Sequence, residues 1–261
     1  MSSFGFQAFD WKIEQGQIML NKHANDQKAQ AYWTFITDLL PDRLLDKYVA
    51  KFTLWSDGPE EDLAGFAPLN EFNTEWHLDV DTVDFDIKNQ NEMARLDAIY
   101  TLIHEYGHLL TLNPEQIQIT DDEYQDDDRG YLTNEGYAET GSYLGEFVNA
   151  FWNDHLLLEW DDIDPIKSEK RRSKKIEQFY YQHQEYFLSG YSAESPEEDI
   201  AESWTFFVLC DRPTIDEYRL EKIKFFYQFP ELIEARSYIR KNIEFIPKDF
   251  LSYFKENFED Y

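Results

Sequence analysis

Two histidines and a glutamate in the middle of the chain have the types and spacing of a zinc-binding motif. The segment 101–110 reads TLIHEYGHLL and places His104, Glu105 and His108 in the pattern His-Glu-x-x-His. Residues four apart on an α-helix lie one above the other, so both imidazoles can reach a single metal ion. Glu105 lies one step further round the helix, where a carboxylate can take a proton from zinc-bound water. The motif therefore predicts one Zn²⁺ ion with Glu105 as a general base.

The flanks of the motif favour a largely buried helix. Apolar side chains surround the histidines at Ile99, Leu102, Ile103, Tyr106, Leu109 and Leu110. An uncompensated imidazole in such surroundings would be costly, which favours metal binding over two unrelated surface histidines. Gly107 costs a helix about 1 kcal/mol relative to Ala. We therefore expect another backbone to pack closely against it.

A catalytic zinc site usually has three protein ligands and one water, so two histidines do not complete it. The longer motif with a third histidine is excluded, because Thr111 stands where that motif needs Gly and Pro114 where it needs His. The chain has one cysteine, Cys210, so a cluster of thiolates and an intrachain disulfide are excluded too. The third ligand is expected to be a carboxylate from a later segment.

The best candidate for this carboxylate lies in the segment 195–204, SPEEDIAESW. Ser195 is a good N-cap and Pro196 suits the first helical position. Glu198 and Glu202 then lie four apart on one face of the helix. We predict that Glu198 binds zinc and that Glu202 accepts the free ring N–H of a zinc-bound histidine.

Two alternatives remain open at this point. Glu198 could instead turn back to the backbone and complete a capping box with Ser195. Glu135 and Glu139 form a second pair four residues apart, on a helix predicted over 136–155, and are the second choice for the third ligand.

The remaining pattern predicts an α+β fold. Period-two alternation predicts strands over Tyr48–Trp55 and Trp76–Ile87, the second with a bend at Thr82. The motif helix is predicted from about residue 89 to 112, ending before Asn113-Pro114. Strands are thus expected only in the first 90 residues. Further helices are predicted over 27–40, 136–155, 168–187, 196–209, 214–228, 231–243 and 248–258.

Composition limits the classes of partner. The chain has 261 residues, of which 42% are hydrophobic, so a packed core is expected. A net charge of -29 argues against nucleic acid and anionic membranes as partners and favours cationic substrates. The acidic segment 120–128 could bind calcium, but Gly130 does not fit an EF-hand loop, and a solvated loop is predicted.

No segment has the roughly 20 apolar residues of a membrane span or the pattern of an export signal. A soluble, cytoplasmic protein is expected. The alternative is a secreted protein whose leader has been removed.

At these residues the sequence resembles the gluzincin zinc peptidases. HEYGH followed by EDIAESW is most similar to the catalytic domain of the anthrax lethal factor type, with HEFGH and then ExxAExF. That family has a tyrosine seven residues before the ligand glutamate, where this chain has Tyr191. The resemblance implies that Tyr191 stabilises the oxyanion or protonates the leaving amine. It also implies zinc ligands at His104, His108 and Glu198, a general base at Glu105 and a supporting acid at Glu202.

The expected fold is a single zincin-like domain. An upper α/β lobe, 1–115, would carry a small mixed sheet and the motif helix, and a mainly helical lower lobe, 116–261, would supply Glu198 across a cleft. In such families a substrate strand pairs with the sheet edge. Trp76–Ile87 is predicted to be that edge, with Asp79 and Asp81 favouring basic peptides.

The expected function is a zinc metalloendopeptidase acting on peptide or protein substrates. Two other classes stay open: a zinc-binding interaction module without peptidase activity, and a non-peptide amide hydrolase with a narrow, closed cleft. The remaining histidines are expected to be ordinary surface or boundary residues, namely His23, His77, His155 and His183.

Overall fold

The computed structural model describes residues 7–56, 64–83, 85, 87–88, 91–120, 129–152 and 154–258. Within them the chain is α+β, as predicted. The strands are β1 (Gln7–Glu14), β2 (Gln17–Met19), β3 (Val49–Ser56), β4 (Ala64–Pro68), β5 (Trp76–Asp81), β6 (Ile117–Gln118), β7 (Tyr131–Thr133) and β8 (Gly136–Ala138). The α-helices are α1 (Asp26–Leu39), α2 (Asp42–Tyr48), α3 (Glu92–Leu112), α4 (Tyr143–Phe151), α5 (Asp154–Asp161), α6 (Glu169–Gln182), α7 (Pro196–Leu209), α8 (Tyr218–Phe225), α9 (Pro230–Lys241) and α10 (Phe250–Phe258). Short 3₁₀ turns cover Gln184–Tyr186, Tyr191–Ala193 and Phe226–Gln228.

The large sheet is mixed and has the strand order β2-β1-β3-β5-β4. β3 and β5 are parallel, and the other neighbours are antiparallel. The prediction that the strand beginning at Trp76 forms the sheet edge is wrong, because β4 pairs with its outer side. The alternation of β5 indicates a half-buried strand but does not say whether another strand lies beside it.

One face of this sheet packs into the core. Trp11, Phe52 and Leu78 lie on neighbouring strands and are at most 2% exposed. Trp33 of α1 packs on Phe52 with ring centroids 5.4 Å apart. These side chains form one apolar cluster with Leu102 of α3, which fixes the motif helix against the sheet.

The other face of the sheet carries a polar row across three strands. Thr53 donates to Asp10 at 2.7 Å and lies 2.6 Å from Nε2 of His77. Asp79 accepts a hydrogen bond from Nε1 of Trp55 at 2.8 Å. His77 therefore lies in a hydrogen-bonded row on the sheet.

The strand β5 ends earlier than predicted. The chain turns at Thr82, and Val83 is 48% exposed instead of continuing the apolar face. Asp81 is fully buried and accepts a hydrogen bond from the Val83 amide at 2.5 Å. The expectation that Asp81 faces a substrate is therefore wrong, because its carboxylate closes the turn.

The predicted helix over 136–155 is wrong in its first third, and strands are not confined to the first 90 residues. Residues 136–138 form β8, which pairs with β6 and β7. Gly136 and Gly141 have φ angles of 136° and 96°, which a helix does not allow. Glu135 lies in the turn before β8 and Glu139 follows β8, so this pair does not share a helix face.

The two helices that matter most for the motif agree with prediction. α3 begins after Asn91, whose side chain accepts from the Met93 amide at 2.9 Å, and ends before Asn113. α7 covers the predicted range 196–209 and ends at the buried Cys210. Among the described residues no helix is both long and apolar enough to cross a bilayer. Residues 121–128 of the acidic segment lie outside the described residues, and the division into two lobes remains a prediction.

Candidate metal centre and cleft

The helices α3 and α7 come into close contact at Gly107. A Cβ atom on Gly107 would lie 3.1 Å from the Cα of Ala201 and 3.1 Å from Cδ1 of Trp204. The absence of a side chain at Gly107 therefore lets the two backbones come together. The expected close approach at this glycine is confirmed, with α7 as the partner.

This packing brings three predicted ligand atoms to one point. Nε2 of His104 lies 3.1 Å from Nε2 of His108 and 3.0 Å from Oε2 of Glu198, and the third side of the triangle is 3.3 Å. Ligand atoms about 2.0–2.1 Å from a tetrahedral zinc ion are about 3.3 Å apart. The triangle therefore fits one face of a zinc coordination tetrahedron.

The hydrogen-bonding capacity of these groups also fits a cation. Nδ1 of His104 lies 3.1 Å from Oε1 of Glu202. A carboxylate accepts only, so Nδ1 donates, and Nε2 of a neutral ring then presents a lone pair. Lone pairs of Nε2 and of the Glu198 carboxylate point at one another, and a positive charge between them relieves the repulsion.

The pKa values of His104 and Glu198 in the metal-free protein also indicate that the site favours a positive charge. Burial alone would lower the pKa of His104, but hydrogen bonds to Glu198 and Glu202 raise it well above its usual value. Burial would raise the pKa of Glu198, but the charge of His108 and its hydrogen bond from His104 hold it far below its usual value. Without a metal, a proton supplies the positive charge that the site favours.

The carboxylate of Glu105 also lies close, within 4.8 Å of both imidazoles. Its Oε2 accepts a hydrogen bond from the Phe66 amide of β4 at 2.8 Å, so it is turned toward the sheet edge. Glu198 lies nearer to both imidazoles, at 3.0 and 3.3 Å, and is the better candidate for the third ligand. Glu105 is placed beside the site, where a base is expected.

The Ser195 cap forms only one half of a capping box. Oγ of Ser195 accepts from the Glu198 amide at 3.1 Å. The Glu198 carboxylate points instead to the imidazoles, so the alternative in which it turns back to its own backbone is not adopted.

A buried network holds Glu202 behind His104. Oε1 accepts from the hydroxyl of Tyr100 at 2.5 Å, and Oε2 accepts from the hydroxyl of Ser189 at 2.6 Å. Together with His104, these two hydroxyls occupy both oxygens of the Glu202 carboxylate. Glu202 is 1% exposed. Sequence reasoning missed Tyr100 and Ser189. Tyr100 lies one turn before His104 on the same helix face and could have been found from that spacing, whereas nothing marks Ser189.

Tyr191 lies next to the same imidazole. Its ring centroid is 5.4 Å from that of His104, and the residue is 41% exposed at the cleft. Burial and the charge of Glu198 raise the pKa of Tyr191 well above its usual value, so its hydroxyl keeps its proton. Ser189 and Ser192 hold the turn around it, since each amide donates to the other hydroxyl at 3.1 Å.

The site opens into a cleft with a volume of about 1300 Å³. Its lining includes residues of the edge strand β4, residues 130–135, and residues of α4 and α5. Among the described residues that line it, Arg172 is the one basic side chain besides His108, and it pairs with Asp164 at 3.2 Å. The acidic side chains along the cleft, among the residues that the structure describes, are Asp79, Glu105, Glu135, Asp161, Asp164, Glu197 and Glu198.

The chain matches no protein-family model, no curated protein and no solved structure. Function is therefore inferred from the geometry of its own residues.

Proposed function

We propose that the protein is a zinc-dependent metallopeptidase with a zincin-like fold, similar in its site to the gluzincins of the lethal factor type. The observation that carries this proposal is the triangle formed by His104, His108 and Glu198, whose sides of 3.0–3.3 Å match a zinc coordination face. Three groups of a catalytic zinc set, two imidazoles and one carboxylate, come from two helices that a glycine brings together.

Each remaining residue of the site has a role in this proposal. A bound zinc ion would act as a Lewis acid and lower the pKa of a water to about 7. Glu105 would take a proton from that water and pass it to the leaving nitrogen. Its Oε2 is held by the Phe66 amide, which leaves Oε1 as the second acceptor. Glu202 keeps His104 in the tautomer and orientation that present Nε2 to the metal.

Tyr191 would donate its hydroxyl proton in a hydrogen bond to the developing oxyanion or to the leaving amine. Its position beside His104 and its raised pKa support a donor role, because the hydroxyl stays protonated near neutral pH.

The cleft supports a peptide as the substrate. A volume of about 1300 Å³ exceeds the roughly 300–1,000 Å³ that small-molecule pockets usually have. The edge strand β4 lines the cleft and can accept an extended peptide as a further strand. Acidic side chains predominate along the walls, which favours basic peptides.

The test combines metal analysis with cleavage of a peptide library. The purified protein should contain one zinc ion per chain, and Glu198→Ala should lose it while Glu135→Ala keeps it. Glu105→Gln should keep zinc and lower the cleavage rate by roughly 10²- to 10⁴-fold, the usual contribution of a general base. A wild-type protein that binds zinc but cleaves no basic, neutral or acidic peptide would instead support the binding module.

A further inference from the structure

A buried ion pair lies beneath the first turn of α7. Asp199 directly follows Glu198, and its Oδ2 is 2.5 Å from Nζ of Lys222, with both side chains fully buried. Nε1 of Trp152 donates to the same oxygen at 2.8 Å. Lys222 belongs to α8 and Trp152 follows α4, so one carboxylate joins three helices.

The hydrogen-bonding capacity of this pair is only partly used. Oδ1 of Asp199 has no hydrogen-bond partner among the described residues. Apart from Asp199, the ammonium of Lys222 faces aromatic rings, 4.5 Å from the centroid of Phe187 and 5.8 Å from that of Phe147. Removing two charges from water is costly unless their remaining donors and acceptors are satisfied, and apolar replacements are often equally or more stable. A buried ion pair of this kind is therefore weak evidence for a role in the stability of the fold.

The position of the pair suggests what it does. Successive side chains on a helix point about 100° apart, so fixing Asp199 against α8 sets the rotation of the turn that carries Glu198. The Ser195 cap holds only the backbone amide of Glu198, at 3.1 Å. Trp152, held by the same carboxylate, lines the cleft.

We infer that Asp199 and Lys222 are positioning residues, which hold the first turn of α7 so that the Glu198 carboxylate meets His104 and His108. The inference rests on the proposed zinc site. It assigns to the pair a role in the geometry of that site and none in the stability of the fold.

The double variant Asp199→Asn/Lys222→Met tests this inference. It removes both charges with little change of shape, and the amide oxygen at position 199 can still accept from Trp152. The metal-free variant should unfold in urea with a free energy equal to or greater than that of the wild type. Its affinity for zinc(II), measured by competition with a chromophoric chelator, should fall by about tenfold or more, as is typical for residues behind metal ligands.

The opposite end of α7 provides a matched control. Arg240 donates to the carbonyls of Val208 and Leu209 at 2.8 and 2.9 Å, near the C-terminus of the helix. Arg240→Met should lower the stability of the metal-free protein and leave its zinc affinity unchanged.

Zinc affinity of the double variant equal to that of the wild type would overturn the positioning role. A parallel loss of stability and zinc affinity in both variants would also overturn it, because the pair would then only maintain the fold. A wild-type protein that binds no zinc would overturn the proposed function and this inference together.

Discussion

At the scale of single residues, Glu202 is the most heavily engaged side chain behind the candidate metal centre. Its two oxygens contact His104, Tyr100 and Ser189 at 2.5–3.1 Å, and the residue is 1% exposed. Burial raises the pKa of Tyr100 well above its usual value, so that hydroxyl is a donor in this network. Glu202 therefore determines which nitrogen of His104 faces the metal position.

Glu202→Ala should lower zinc affinity by about 10- to 100-fold, because Nδ1 of His104 loses the acceptor that fixes its tautomer. Competition with a chromophoric chelator measures this. Tyr100→Phe removes one donor and leaves the acceptor of His104 in place, so it should have a smaller effect. Equal zinc affinity in Glu202→Ala and the wild type would contradict the assigned role of Glu202.

Glu115 is one of the carboxylates whose ionisation should affect stability at acidic pH. It pairs with Arg43 and Lys47, each at 2.5 Å, and so joins α2 to the turn after α3. The hydrogen bond from Lys47 lowers the pKa of Glu115 below its ordinary value of 4.5. Its contribution to stability is therefore complete above that value and is lost as the pH falls through the lower pKa of the folded state.

Glu115→Gln should lower the free energy of unfolding at neutral pH by less than about 1 kcal/mol, because the pairs are largely exposed. The difference from the wild type should shrink as the pH falls below 4.5. Urea unfolding over a series of pH values measures it, with Glu234→Gln, an exposed glutamate of α9, as the control. If the difference in free energy of unfolding between Glu115→Gln and the wild type stays constant down to about pH 3, the predicted contribution of the Glu115 carboxylate is wrong.

At the scale of elements, the site depends on the contact between α3 and α7. Both segments that carry the candidate ligands are helices, and the candidate metal position lies near the contact between them. The spacing of the helices is set by Gly107 and Ala201, since a Cβ on the glycine would lie 3.1 Å from a backbone atom of the partner. A backbone atom cannot rotate away as a side chain can.

Gly107→Ala should separate the two helices by a few tenths of an ångström. Helix propensity favours Ala by about 1 kcal/mol, but overpacking costs about 1–3 kcal/mol, so we expect a net loss of stability. Zinc affinity should fall as well, since ligands on different helices move apart. Urea unfolding and zinc competition measure the two effects.

Ser237→Ala on the exposed face of α9 is the control for a change of helix propensity away from the contact between α3 and α7. It also removes the hydrogen bond from the Ser237 hydroxyl to the Ile233 carbonyl at 2.8 Å, and it should leave zinc affinity unchanged. A Gly107→Ala protein that is more stable than the wild type and binds zinc equally well would contradict the close-packing interpretation.

The sequence predicted the elements that are stabilised mainly by contacts between residues a few positions apart. The helix α3 has apolar side chains at helical spacing, and α7 has the Ser195-Pro196 start followed by an apolar run. His104 with His108, and Glu198 with Glu202, lie one turn apart, so helix geometry alone relates the members of each pair. Helix geometry does not say that the two pairs lie close together. That prediction came from the chemical requirement for a third zinc ligand.

Several of the missed elements depend on distant partners, whereas β1 was missed although its Trp11 and Ile13 alternate with polar residues. β4 reads AGFAP and shows no alternation, and it becomes a strand because β5 lies beside it. The short strands β6 to β8 have two or three residues each and form only as a set. Lys222 looks like a surface residue in the sequence, because its partner Asp199 is 23 positions away.

At the scale of the whole molecule, the net charge of -29 and the acidic cleft act in the same direction. Cationic peptides should be attracted over a distance set by the ionic strength. The Debye length falls from about 30 Å at 0.01 M to about 3 Å at 1 M. The attraction should therefore be strong in dilute buffer and nearly absent at high salt.

For a basic peptide substrate, kcat/KM should fall by about tenfold or more between roughly 0.01 M and 1 M sodium chloride. A neutral peptide with the same residues at the cleaved bond should change much less, and this comparison is the control. Steady-state assays over a salt series measure both. Equal salt dependence of the two peptides would show that the charge of the cleft does not select substrates.

The single cysteine gives the molecule a practical property. Cys210 is 3% exposed at the end of α7, and burial raises the pKa of its thiol to about 12. Alkylating reagents attack the thiolate, so the native fold offers them almost no target. Leu158 lines the cleft and is 66% exposed. A Leu158→Cys protein would accept a fluorophore at that one place, and the emission of the dye would report the arrival and departure of peptides without any cleavage.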